Sequence, residues 1–389
     1  MKETTKAIRI QTERTQHKEH ATPLFLTSSF TFEDAAEGQA LFNNEIPGNI
    51  YSRYSNPSVQ EFIDKVCMME ELEVGFATSS GMAAVFAGFA AHLQSGDHLV
   101  ASQALFGSAH QIITQILPKW GISYTYLDSD CSEEEWNAAI QENTKMIYLE
   151  TPSNPGLALV DLEMIGKVAK KHNLIYYVDN CFATPVIQKP ARFGADLIVH
   201  SATKFMDGQG RVLGGIICGT QETMEPVIFF CRHTGPAMSP FNAWILSKSL
   251  ETLHLRMERH CENAQKFAEA LQGTEGVKQV NYPFLDSHPQ NELAKKQMTN
   301  GGALVTFDLE GGFDRIVRFT KLLTIPSKTS NLGDSRTTIT NPNTTTHSKV
   351  AQDIKDKLGI TEGLMRVSIG LEDIDDLIAD FKQAIAGSK

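Results

Sequence analysis

The apolar positions of this chain change rhythm twice. Up to about residue 55 they form only short pieces, such as Pro23-Leu24-Phe25-Leu26, among polar residues and turn signals such as Pro47-Gly48. That spacing predicts an extended arm without a core of its own. The aromatics Phe25, Phe30, Phe32, Phe42, Tyr51 and Tyr54 predict that the arm docks on another surface. From about 56 to 250, helix-period segments alternate with short apolar runs. Helices are expected over Val59–Glu71, Gly81–Leu93, Ala109–Ile116, Glu133–Ile140 and Leu162–Lys171. Strands are expected over Val74–Ala77, His98–Ala101, Ser123–Leu127, Met146–Glu150, Leu174–Val178, Leu197–His200 and Gly215–Cys218. This alternation predicts an α/β fold, a mostly parallel seven-stranded sheet with helices on both faces.

Beyond about 250 the texture changes. One long helix fits Ala243–Leu271, followed by the turn-rich Tyr282-Pro283 and Ser287-His288-Pro289. Strand-like Ala303–Leu309 and Leu364–Ser368, and helical Phe313–Lys321 and Ile374–Ala386, predict a smaller α+β unit. The Thr- and Asn-rich stretch Thr337–Thr346 reads as a loop. Three units are therefore expected: an arm over 1–55, a large domain over 56–250 and a small domain over 251–389.

Charge and composition narrow the function. A formal net charge of -11 disfavours a nucleic-acid surface, which needs clustered Lys and Arg. No run approaches the roughly 20 apolar residues of a membrane span. The polar start MKETTKAIRIQTERTQHKEH lacks the apolar core of a signal peptide, so the cytoplasm is the expected compartment. Cys67, Cys131, Cys181, Cys218, Cys231 and Cys261 are scattered without a CxxC pair, which reads as reduced thiols. The histidines show no metal-ligand spacing, so no metal is expected.

Candidate chemistry gathers at the C-terminal ends of the expected strands, where open α/β sheets bind ligands. Asp179 ends one strand, and Lys204 follows another in Ser201-Ala202-Thr203-Lys204. Placement alone leaves Asp179 either a helix cap or the partner of a pyridinium nitrogen. Lys204 is unusual there, because a bland lysine sits on a helix face or polar loop. Together they are the pair that pyridoxal 5'-phosphate (PLP) needs: an amine to tether it and a carboxylate to keep its ring nitrogen protonated. Thr78-Ser79-Ser80-Gly81-Met82, between a strand and a helix, is either a simple capped helix start or a phosphate site. Ser201, Thr203 and Arg53 could add donors to it. Arg366, on pattern alone, reads as a strand-end surface residue.

These segments resemble the Cys/Met metabolism PLP-dependent enzymes, among them cystathionine γ-synthase, cystathionine lyases, methionine γ-lyase and homoserine-ester sulfhydrylases. The match rests on Ser201-Ala202-Thr203-Lys204, Tyr51-Ser52-Arg53-Tyr54-Ser55-Asn56-Pro57, Ser80-Gly81-Met82-Ala83-Ala84, Glu150-Thr151-Pro152-Ser153-Asn154-Pro155 and Val178-Asp179-Asn180. It runs from about residue 20 to the C-terminal helix. The resemblance implies the fold type I of PLP-dependent transferases, and Lys204 carrying PLP as a Schiff base. It implies that Tyr51 and Arg53 reach the PLP phosphate of a neighbouring subunit, in at least a dimer and usually a homotetramer. Gly81, Met82, Ser201 and Thr203 match phosphate donors, Asn154 a residue near the cofactor's 3'-oxygen, and Arg366 the clamp of the substrate α-carboxylate. A non-catalytic binding module would not need Lys204, Asp179 and Arg366 together.

Departures from the family pattern narrow the reaction. Phe106 stands where most relatives carry a tyrosine that stacks on PLP, so stacking remains and the hydroxyl is lost. Ser108 stands where methionine γ-lyases typically carry cysteine. Ser330-Asn331 replaces a Glu-Ser pair whose carboxylate suits the far amino group of cystathionine. Asp207-Gly208-Gln209-Gly210-Arg211 and Gly235–Trp244 are similar to stretches of O-succinylhomoserine sulfhydrylases. The expected reaction is replacement of the ester of an activated homoserine by sulfide, giving homocysteine and succinate in methionine biosynthesis. Cystathionine γ-synthase and O-acetylhomoserine sulfhydrylase are the alternatives, ahead of methionine γ-lyase. Arg366, Asn331, Ser330 and Thr346 are the expected substrate residues. Arg211 is either the partner of the succinyl carboxylate or a surface or interface arginine.

Overall fold

A computed structural model describes residues 1–389. Seven strands form one sheet: β1 (Val74–Thr78), β2 (His98–Ser102), β3 (Ser123–Leu127), β4 (Thr144–Glu150), β5 (Ile175–Asp179), β6 (Leu197–His200) and β7 (Gly215–Gly219). Their order is β1-β7-β6-β5-β4-β2-β3. β3, β2, β4, β5 and β6 pair in parallel, whereas β7 runs antiparallel to both β6 and β1. The reversal follows from the connection. No helix lies between β6 and β7, and without a helical crossover the chain turns back on itself. That return loop carries Lys204.

Alternation along the strands divides the core. Met146, Tyr148, Tyr177, Leu197 and Val199 face the helices Gly81–His92 and Gln221–Thr234. Ile147, Leu149, Tyr176, Val178 and Ile198 face Leu162–His172 on the other side, with Trp136. Helix starts follow their caps. Ser80 accepts from the amide of Ala83, Asn56 from Ser58, and Asp161 from Glu163 and Met164.

A second sheet comprises β8 (Val277–Asn281), β9 (Leu304–Leu309), β10 (Ser327–Lys328), β11 (Thr338–Thr340) and β12 (Leu364–Ser368), in the order β10-β11-β12-β9-β8. Phe267, Phe307, Phe319 and Phe381 join it to the helices Leu253–Leu271, Gly312–Leu322 and Ile374–Gly387.

Several expectations need correction. The long helix is two, Pro240–Leu250 and Leu253–Leu271. Leu246, Leu250, Leu253 and Met257 all enter one core, so the apolar rhythm continues across the break and hides it. The helix Gln221–Thr234 escaped the pattern because Pro226 interrupts it. Part of the expected Thr337–Thr346 loop is β11, whose buried Thr338, Ile339 and Thr340 pair with β12. The expected helix over Ala109–Ile116 starts at Gly107 and becomes π-helical over Ile112–Ile116. The arm packs partly on its own chain. Ala7 is buried, Glu3 pairs with Lys189 at 2.6 Å, and the Thr12 amide donates to Glu61 at 3.0 Å. Leu26 and Phe42 stay 70% and 60% exposed. No helix is long and apolar enough to cross a membrane.

Candidate active site

In-register pairing brings Glu150 of β4 level with Asp179 of β5, and Asp179 level with Val199 of β6. The C-terminal ends of these strands floor a cavity of about 320 Å³. Ser80, Gly81, Met82 and Phe106 line it from the large sheet's side, with Asn154, Ser201, Thr203 and Lys204. Ser330, Asn331, Thr346 and Arg366 close it from the second sheet's side.

Lys204 is half-buried, and its ammonium donates to Oδ1 of Asn331 at 2.7 Å. Burial depresses its pKa below the ordinary lysine value, and the positive Arg366 pushes in the same direction. Asp179 lies in the floor. Burial raises its pKa to about 6, against the Cys181 amide, which donates to Oδ1 at 3.0 Å, and the opposing charge of His200. Glu150 accepts from the Phe106 amide at 2.8 Å. Burial first, then the charge of Asp179, pushes its pKa well above the ordinary carboxylate value.

Arg366 corrects its reading as a surface residue: it is 2% exposed. Nη1 donates to Asn154 Oδ1 at 3.0 Å and Nη2 to the Ser330 carbonyl at 2.8 Å. Burial lowers its pKa to about 10, which leaves it a cation at neutral pH. Thr346 and the Nδ1 of His347 share a hydrogen bond of 2.8 Å, and burial lowers the His347 pKa to about 4.

The amides of Gly81 and Met82 begin a helix and have no acceptor. The Ser201 hydroxyl is also free, whereas Thr203 donates to the Gly214 carbonyl at 3.2 Å and accepts its amide at 3.0 Å. A side chain at Gly81 would place its Cβ 2.6 Å from the Ser201 Cβ and 2.8 Å from its Cα. Gly81→Ala therefore forces the two turns apart. The expected cost is about 1–3 kcal/mol of stability, read as a lower Tm together with weaker PLP retention in dialysis. Unchanged Tm and retention would show that the close approach is not needed.

Three expected residues lie outside the cavity. The Arg53 guanidinium sits 4.8 Å from the Tyr54 ring centroid and bonds the Arg232 carbonyl. Tyr51 is 43% exposed. Arg211, read as either the partner of a succinyl carboxylate or a surface or interface arginine, lies outside this cavity with its side chain 39% exposed: it pairs with Asp207 at 2.9 Å and also bonds the Ser249 hydroxyl. Asp207 is fully buried, and its charge needs that partner. Glu150, Cys181 and Leu213 line the cavity without having been singled out. For Glu150 the signal was present, since it ends an apolar strand as Asp179 does.

The arrangement fits PLP. Free amides at a helix start and a free hydroxyl suit a phosphate. Asp179, half-buried with a single amide donor, suits a protonated ring nitrogen, whose charge would draw its pKa back down. Lys204 is within the same cavity for a covalent tether.

Comparison with known proteins agrees. The chain is 43% identical over 98% of its length to an O-succinylhomoserine sulfhydrylase of Pseudomonas aeruginosa, covering 94% of that relative. It is 39% identical over 94% of its length to an L-methionine gamma-lyase of Fusobacterium nucleatum subsp. polymorphum, covering 93% of it. A Campylobacter jejuni structure described as an O-acetylhomoserine (thiol)-lyase superposes with a TM-score of 0.95 at 32% identity, covering 99% of this chain and 100% of that one. That structure contains N'-pyridoxyl-lysine-5'-monophosphate. The model of the Cys/Met metabolism PLP-dependent enzymes matches residues 4–386, and the chain belongs to that fold type I, PLP-dependent family.

Proposed function

We propose that this protein converts O-succinylhomoserine and sulfide to homocysteine and succinate, a γ-replacement in methionine biosynthesis. The observation that carries the reading is the cavity rim. Ser330, Asn331 and Thr346 contribute no carboxylate, so a cysteine co-substrate's ammonium finds no partner there, whereas sulfide needs none. The identity to the Pseudomonas aeruginosa sulfhydrylase supports the same choice.

Bound PLP supplies an electron sink for negative charge at the substrate Cα. Gly81, Met82, Ser201 and Thr203 would hold its phosphate, joined by Tyr51 and Arg53 of a second copy in a homotetramer. Phe106 would stack on its ring, Asn154 would lie beside its 3'-oxygen, and Asp179 would hold the positive charge at its nitrogen. Arg366 would hold the substrate α-carboxylate. Lys204 would take the Cα proton and return protons later, because Phe106 has no hydroxyl to share that work. We place the arm at 1–55, the cofactor domain at 56–250, the small domain at 251–389, and the enzyme in the cytoplasm.

The holoenzyme with sulfide and the succinyl, acetyl and phospho esters of homoserine tests this. The succinyl ester is expected to give homocysteine with the highest kcat/KM, about tenfold or more above the others. A higher kcat/KM for the acetyl ester makes the protein an O-acetylhomoserine sulfhydrylase. Cystathionine as the main product when cysteine replaces sulfide makes it a cystathionine γ-synthase. Breakdown of methionine at a comparable rate makes it a methionine γ-lyase.

A further inference from the structure

Beside the active-site cavity runs a groove in the second sheet's unit, between the helix Gly312–Leu322 and the strands β10 and β11, with a volume of about 680 Å³. Ser330 and Thr346 line both spaces, so the groove adjoins the cavity. Its floor is apolar, through Ile316, Ile339 and Met365, and its walls carry threonine hydroxyls. Lys328 is the only charged residue that lines it, and no Asp or Glu does.

Lys328 has no carboxylate within 4.0 Å, unlike Arg211, which Asp207 holds. The one protein acceptor of its ammonium is the Leu323 carbonyl at 3.3 Å. Two of its three donors are therefore available to a ligand. Lys328 and Ser330 are two residues apart in the chain, where β10 ends and the chain bends toward the cavity. The Ser330 carbonyl is tied to Arg366 at 2.8 Å. One cation thus stands at each end of a short path, Arg366 inside the cavity and Lys328 in the groove.

Resting on the γ-replacement reading, we propose that this groove receives the acyl half of the ester and that Lys328 pairs with its far carboxylate. The methylenes of a succinyl group would lie along the apolar floor, and the Thr329 hydroxyl, which accepts from the Asn331 amide and donates to nothing in the chain, would donate to a carboxylate oxygen that Lys328 leaves free. An acetyl ester ends in a methyl group and gains nothing from the ammonium. Lys328 is then a specificity residue: it acts on binding of the extended dianion and not on proton transfer.

The test compares the wild-type, Lys328→Gln, Lys328→Arg and Lys328→Glu holoenzymes with succinyl and acetyl esters, sulfide being saturating. The ratio of kcat/KM for the succinyl over the acetyl ester is expected to fall about three- to fivefold in Lys328→Gln, as for a solvent-accessible ion pair. It should fall further in Lys328→Glu and stay near the wild-type value in Lys328→Arg. The loss should lie in KM for the succinyl ester, because the pair is the same before and during reaction. Ratios equal across all four proteins overturn the proposal. Should the wild type turn over only the acetyl ester, the proposed function fails by itself. O-succinylhomoserine is then used as a competitive inhibitor of acetyl-ester turnover. An inhibition constant that rises about three- to fivefold in Lys328→Gln supports the groove, and an unchanged one overturns it.

Discussion

Lys204→Ala is expected to lower kcat by about three to four orders of magnitude, the scale of a positioned proton carrier. In the family the cofactor is PLP, and among the residues lining the cavity Lys204 is the only amine. Its surroundings bias it toward the proton-accepting form. Burial and the nearby Arg366 both depress its pKa, so more of the amine is neutral at any pH below its ordinary value. The hydrogen bond to Asn331 aims the amine into the cavity from the opposite sheet. In the proposed mechanism, removing the side chain would delete both the tether and the base, and would leave the proposed phosphate donors, Asp179 and Arg366 in place. The variant should still bind PLP, without a covalent link. Borohydride reduction followed by mass spectrometry should add the cofactor's mass to the wild-type chain only. The fold should survive, because a half-buried, desolvated lysine contributes little to stability. Turnover within tenfold of the wild type would remove Lys204 from the mechanism.

Most strands of the large sheet are legible in the sequence as short apolar runs closed by a polar residue, whereas β3 alternates polar and aromatic positions. Asp179 and Lys204 stood out because they interrupt that pattern at the ends where ligands bind. Legibility failed where two physical situations share one pattern. Pro240–Leu250 and the first turns of Leu253–Leu271 bury their apolar faces in one core, so periodicity joins them. Arg211 looked available because its partner Asp207 is only four residues away and nothing local says that this carboxylate is buried. Arg366 looked exposed for the opposite reason. Its acceptors, Asn154 and the Ser330 carbonyl, lie 212 and 36 residues away in the chain. No local pattern marks Lys328, because its meaning depends on the groove formed by elements on both sides of it.

Arg366→Ala should produce the second large effect, a fall in kcat/KM for the ester of about 2–5 kcal/mol in transition-state binding, or some thirty- to several-thousandfold. The case rests on its two existing bonds. Asn154 and the Ser330 carbonyl take one donor from each terminal nitrogen, which fixes the plane of the guanidinium. The donors that remain can meet a carboxylate in a water-poor site, where charge-assisted bonds are strong. Desolvation lowers its pKa to about 10, and it still keeps its charge at neutral pH. The α-carboxylate is bound alike in substrate and transition state, so KM should carry most of the loss. Arg366→Lys keeps the charge and loses the fork, and should therefore fall between the wild type and Arg366→Ala. A contribution from folding is separable. If Arg366 served structure alone, Arg366→Ala would lower Tm and the fraction of active enzyme without raising KM. If it binds the carboxylate, KM rises for the succinyl and acetyl esters by the same factor, since both carry that group. This common factor is what distinguishes Arg366 from Lys328, whose loss should separate the two esters.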